Sequence, residues 1–233
     1  MASWNSAIRA AFGEQGPALC LLDLDGTLID SVPDLAAAID TMLQQLGRQP
    51  AGETAVSHWV GNGADLLVRR ALVDGDEQQA LALTAAAVEP ARALFDQAYL
   101  SVLHHATGAY PGVEAWLEQA SLPKVLVTNK PRLFTLPLLE SLGWMAHFEL
   151  IICGDDLAEK KPSALPLLHA CSVLDIAPQT ALMIGDSRND IQAAKNAGIR
   201  SAALTYGYNH GADIAESAPD WVIDNLLQLT VDA

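Results

Sequence analysis

The stretch from Cys20 to Ser31, "CLLDLDGTLIDS", decides how the rest of the chain is read. A short apolar run reaches Asp23, takes one Leu, reaches Asp25 and passes into Gly26-Thr27. Residues two apart on an extended chain point to the same side, so both carboxylates are expected to face one site. Two acids this close repel unless something uses them. A pair of carboxylates at a strand end suits a hard divalent cation with oxygen ligands, typically Mg2+. A carboxylate can also act as a nucleophile and form an aspartyl-phosphate. A lone Asp here would read as a loop acid or a helix cap; D-x-D-G-T directly after an apolar run is more specific.

Four further apolar runs end as abruptly: "KVLVTN" (124–129), "ELIICG" (149–154), "ALMIGD" (181–186) and "SAALTY" (201–206). With "ALCLLD" (18–23) they have the length and turn-bounded ends of fully buried strands. Helix-length segments lie between them at 112–121, 131–142, 163–173 and 188–198. Such alternation predicts an α/β fold, a Rossmann-like parallel-sheet core with helices on both faces. One interval breaks it. From Pro33 to about His105 the chain offers only amphipathic and Ala-rich helix material, including "ALALTAAAV", with breaks at Gly47-Arg48-Gln49-Pro50 and Gly61-Asn62-Gly63. The expected organisation is therefore a core of residues 1–32 and 106–233, with a helical domain, 33–105, inserted after the first strand.

Composition narrows the function classes. The 233 residues are 51% hydrophobic, enough for a substantial core. A formal charge of −15 argues against a nucleic-acid or anionic-membrane surface, since either needs clustered Lys and Arg. Three scattered cysteines without a CxxC read as small buried residues in a reducing compartment. The N-terminus lacks a long apolar segment of the signal-peptide type, and no run approaches the ~20 residues needed to span a bilayer. A cytoplasmic protein is expected.

Three more segments carry candidate groups. Thr128-Asn129 ends one run and could hold phosphate oxygens; capping the helix that follows explains it equally well. "GDSRND" (185–190) ends another, with Asp186 where a second metal carboxylate would sit. Ser187 and Asp190 also satisfy a capping-box pattern, so Asp190 has two readings. Lys161 is one of only five lysines and stands before Pro162, expected at a helix start. It could neutralise both a phosphate and a carboxylate, with Lys160 its solvated neighbour. Gly61-Asn62-Gly63 lacks the third glycine and preceding strand of a dinucleotide fingerprint.

Taken in order, Asp23-x-Asp25-Gly26-Thr27, Thr128, Lys161-Pro162 and Gly185-Asp186-x-x-x-Asp190 resemble the four motifs of the haloacid dehalogenase-like hydrolase superfamily. The resemblance covers essentially the whole chain. It implies a Mg2+-dependent phosphomonoester hydrolase in which Asp23 attacks phosphorus and Asp25 exchanges protons with the leaving oxygen and the attacking water. It further implies Mg2+ held by Asp23, the Asp25 backbone carbonyl and Asp186, and phosphoryl oxygens held by Thr128, Asn129 and Lys161, with Asp190 in support. Within the superfamily, "WVGNGADLLVRRAL", "TNKP", "EKKP", "GDSRNDIQAAKNAG" and "LTYGYNHG" resemble the bacterial phosphoglycolate phosphatases, although Ser163-Ala164 stand where that family often has a second proline. The implied partner is a small phosphorylated metabolite, 2-phosphoglycolate, with a sugar-phosphate phosphatase, a phosphomutase and a non-catalytic binding protein as rival readings.

The inserted helices would form a cap that closes over the site and excludes water. The cap segment holds Arg48, Arg69, Arg70 and Arg92 but no lysine. That argues against a relative using a cap Lys as a Schiff base, and Asp25 argues against a haloacid dehalogenase. Arg70 is the candidate cap contact for a substrate carboxylate, a solvated helix-face Arg being the other reading.

Overall fold

Apolar runs of three to five residues build the sheet that organises this molecule, and their polar ends gather on one edge. The computed structural model describes residues 4–230. Ser6–Phe12 (α1) precedes Leu19–Leu22 (β1) and the two-residue Ile29–Asp30 (β2). Five helices follow: Val32–Gln45 (α2), Glu53–Trp59 (α3), Ala64–Leu72 (α4), Glu77–Ala82 (α5) and Ala85–Val102 (α6). Gly108–Ala109 (β3), Val113–Gln119 (α7), Lys124–Val127 (β4), Arg132–Ser141 (α8) and Leu150–Ile152 (β5) continue the chain. Leu165–Val173 (α9), Ala181–Gly185 (β6), Arg188–Ala197 (α10), Arg200–Leu204 (β7) and Trp221–Ile223 (β8) complete it.

Six strands form one parallel sheet in the order β5-β4-β1-β6-β7-β8. β1, β4 and β6 are buried along their whole length because both faces are covered. Alternate residues divide between the faces. Cys20, Leu22, Leu126, Leu182 and Ile184 pack with Val113, Trp116 and Leu138 of α7 and α8. Leu19, Leu21, Val125 and Met183 pack with Leu167, Ala170, Ala193 and Ala194 of α9 and α10. β8 is an edge strand beyond the five apolar runs, and "WVI" is too short to announce itself. The central β1 has β4, the next strand of this sheet along the chain, on one side and β6 on the other. The crevice at its carboxyl end is therefore the expected ligand position in an open α/β sheet.

The helices α2 to α6 have a core of their own, with Ile39, Met42, Val68, Phe95 and Tyr99 at its centre and Phe134 of α8 reaching in from the sheet side. The chain leaves and returns through the antiparallel pair β2–β3. Asp34 fastens this neck: its carboxylate accepts from the Ala106 and Thr107 amides, both at 2.9 Å, and from Thr107 Oγ1 at 2.6 Å. Inside this layer "ALALTAAAV" is not one helix. Thr84 interrupts it because its Oγ1 accepts from Ala87 N and caps α6, so α5 ends at Ala82. Nor does Pro162 begin a helix: it follows Lys161 through a cis peptide bond, and α9 starts at Leu165.

Candidate active site

Just past β1 the backbone stops being strand, and its two acids take separate partners. Asp23 Oδ1 lies 2.8 Å from Lys161 Nζ. Asp25 Oδ1 accepts from Ser31 Oγ at 2.5 Å and from Lys130 Nζ at 2.9 Å. Gly26 makes the turn with φ of +87°, and a Cβ there would fall 2.3 Å from Asp186 Oδ2, so glycine is required on both counts. Thr27 Oγ1 donates to Asp186 Oδ1 at 2.7 Å, tying the first loop to the end of β6.

At the end of β6, Asp186 accepts a second hydrogen bond, at Oδ2, from the Tyr208 amide at 2.9 Å. Asp190 forms the capping box and also meets Lys161. Its Oδ2 accepts from Ser187 N at 3.0 Å and Ser187 Oγ at 2.8 Å, forming the capping box of α10, while Oδ1 lies 2.7 Å from Lys161 Nζ. Lys161 is 2% exposed and also donates to the Val127 carbonyl at 2.6 Å. One ammonium group thus joins the ends of β1 and β4 to the first turn of α10.

Thr128 lines the same pocket as Asp23 and Asp25, and its Oγ1 accepts from Lys130 N. The Asn129 amide donates to the carbonyls of Gly61 and Lys161, both at 3.0 Å, so its side-chain N–H groups bridge the helical layer to the lysine loop. The pocket lies between sheet and helices, with Leu35, Val60, Leu67, Phe95 and Phe134 on its apolar walls.

Arg70 requires a correction. It is 4% exposed, and its guanidinium binds Glu77 through two hydrogen bonds, the Trp59 carbonyl at 2.7 Å and Asn62 Oδ1 at 3.0 Å. It ties α4 to α5 and to the turn after α3, and it is absent from the pocket wall. The pocket residue that the sequence left unmarked is Lys130, buried, with Nζ donating to Tyr99 OH of α6 at 2.6 Å as well as to Asp25. Its signal was its place in "TNKP", directly after a run that ends on polar groups.

Electrostatics follow from burial. Desolvation raises the Asp23 carboxyl well above its ordinary range, and neighbouring Asp190 pushes the same way against Lys161. Asp186 is pushed up to about 7, by burial first and Asp190 next. Burial works against the charge of Lys161, but Asp190 and Asp23 outweigh it and hold the ammonium above its usual range. When all four carboxyls of Asp23, Asp25, Asp186 and Asp190 are ionised, the two ammonium groups of Lys130 and Lys161 leave an excess of two negative charges. Oxygen atoms of Asp23, Asp186 and Asp190 lie within 4.8 Å of one another, so the cluster could hold a metal ion. An all-oxygen donor set with that excess fits a hard divalent cation. All three carboxylates also have protein partners: Lys161 for Asp23, Thr27 and Tyr208 for Asp186, and Lys161 and Ser187 for Asp190.

Comparison with known proteins agrees with this geometry. The family model for haloacid dehalogenase-like hydrolases matches residues 20–204. A protein of Pseudomonas aeruginosa named phosphoglycolate phosphatase 1 is 49% identical over 227 residues, covering 96% of this chain and 82% of that one. A phosphoglycolate phosphatase of Nitrosococcus oceani is 47% identical, covering 91% of this chain and 95% of its own. Among solved structures, a predicted phosphoglycolate phosphatase from Haemophilus somnus is 37% identical, with a TM-score of 0.83, covering 89% of this chain and 94% of that one.

Proposed function

The chain belongs to the haloacid dehalogenase-like hydrolases, and on that footing we propose that it is a Mg2+-dependent phosphatase that hydrolyses 2-phosphoglycolate to glycolate and phosphate. The observation that carries the reading is the Asp23 carboxylate, fixed by Lys161 at 2.8 Å and facing the same pocket as Asp25. The names of the relatives at 47–49% identity support the substrate.

In the first half-reaction an Asp23 oxygen forms a bond to phosphorus as the bond to the ester oxygen breaks, and Asp25 gives that oxygen its proton. In the second, water attacks phosphorus, Asp25 takes up its proton, and the Asp23–phosphorus linkage breaks to release phosphate. Lys161 supplies positive charge for the phosphoryl group, and the Thr128 hydroxyl and the backbone N–H groups near Asn129 supply donors for its oxygens. Mg2+, when held by Asp23, the Asp25 carbonyl and Asp186, would screen the repulsion between the nucleophile and the phosphoryl group. Asp190 keeps Lys161 in place. The helices between residues 33 and 105 act as a cap that keeps water from the pocket.

A panel of phosphate esters assayed for phosphate release with Mg2+ tests the proposal. The expected result is highest kcat/KM for 2-phosphoglycolate. A sugar phosphate turned over better would remove the substrate assignment, and transfer to a sugar without stoichiometric phosphate release would replace the hydrolase by a mutase.

A further inference from the structure

We propose that Lys130 receives the carboxylate of the substrate and so sets specificity for phosphorylated 2-hydroxy acids. The proposal rests on the substrate reading above and gives it a residue. Lys130 is 5% exposed and lines the pocket beside Asp23 and Asp25. An ammonium has three N–H donors. Asp25 Oδ1 at 2.9 Å and Tyr99 OH at 2.6 Å take two of them, and among the described residues no third acceptor meets Nζ. Among the described residues no other lysine or arginine lines the pocket; Lys160 Nζ stands behind Gly63, 3.0 Å from where a Cβ there would lie, and Arg70 is turned away into its own contacts. Much of the wall is apolar, from Leu35, Val60, Leu67, Phe95 and Phe134, so a carboxylate entering there has little else to answer its charge.

The position suits the chemistry. Asp25 is the group that meets the ester oxygen, and Lys130 Nζ stands one hydrogen bond beyond it. In a phosphorylated 2-hydroxy acid the carboxylate hangs one carbon from that same oxygen. It therefore reaches the neighbourhood of Nζ while the ester oxygen stays on Asp25. Tyr99, from the cap, holds the ammonium from the other side and stacks beneath it, with Nζ 4.7 Å from the ring centroid.

The test compares kcat/KM for 2-phosphoglycolate and for ethyl phosphate, which lacks the carboxylate, under saturating Mg2+ in wild type, K130M and K130R. The wild-type preference for the carboxylated ester should fall about 100-fold in K130M, as loss of one partner from a buried charge pair requires, and recover in part in K130R. K130Q gives the same readout without the charge should K130M not fold. Equal losses on both esters, leaving the preference intact, would overturn the proposal and reduce Lys130 to a positioning residue for Asp25. A wild type with no preference for 2-phosphoglycolate would overturn the substrate reading and this proposal together; preference in wild type that persists in K130M and K130Q overturns this proposal alone.

Discussion

Lys161 Nζ lies 2.8 Å from Asp23 Oδ1, and the same ammonium lies 2.7 Å from Asp190. It is held between the carboxylate that is to meet phosphorus and the one that starts α10. Lys161→Met leaves both buried acids without their cation, and breaking such a pair costs about 3 kcal/mol or more. Urea unfolding at pH 8 should show that loss, with kcat lowered about a thousandfold, as for removal of an electrostatic donor. A stability change below about 1 kcal/mol would show that the pair is not structurally important.

The raised Asp186 carboxyl makes the metal-free protein sensitive to pH in a defined direction. Its pKa lies near 3.8 in the unfolded chain and at about 7 in the folded one. Between those values the folded state binds more protons, so stability is greatest below the lower value and is lost as pH rises through the upper one. A metal that needs the ionised carboxylate opposes this loss. The Tm of EDTA-treated protein should fall from pH 5.5 to pH 8, and the gain on adding Mg2+ should be larger at pH 8. A gain that is equal or larger at pH 5.5 contradicts the assignment of Asp186 as a ligand.

Gly207 packs against the other side of the same carboxylate, where a Cβ would lie 2.1 Å from Asp186 Cβ. Gly207→Ala should displace Asp186 and raise the Mg2+ concentration for half-maximal activity about tenfold, in the range found when a metal ligand's orientation is disturbed. A Mg2+ titration superimposable on wild type would show that the approach has no bearing on the metal.

Arg70 provides the contrasting case. Its partners are Glu77, Trp59 and Asn62, all within the helical layer. Arg70→Met should cost about 1 kcal/mol or more through the part-buried Trp59 and Asn62 acceptors left without the guanidinium. It should leave the ratio of kcat/KM for 2-phosphoglycolate to that for ethyl phosphate unchanged. Collapse of that ratio would return Arg70 to the substrate.

These residues also show which parts of the fold and site were legible in the sequence. Asp23, Asp25 and Asp186 stand at the ends of buried strands, where the apolar run and the acid are adjacent in the chain and the local pattern suffices. The parallel sheet was legible for the same reason, and β8 was missed because three residues at an edge carry little pattern. Lys130 and Arg70 are long side chains whose destinations depend on distant elements. Lys130 finds Asp25 and Tyr99 only once β1, β4 and α6 are assembled. Arg70 looked available for substrate until the chain turned back after α4 and brought Glu77 to it. The split of "ALALTAAAV" at Thr84 rests on a cap, Oγ1 accepting from Ala87 N, that the alanine content of the run does not reveal.

The most direct test of the central claim is phosphate release from 2-phosphoglycolate by Asp23→Asn with saturating Mg2+, alongside thermal unfolding to confirm that the variant is folded. The amide keeps the shape of the side chain and removes its nucleophilic charge, so activity should fall at least about a thousandfold. A folded Asp23→Asn protein that retains more than about a tenth of wild-type kcat would contradict the claim that Asp23 attacks phosphorus.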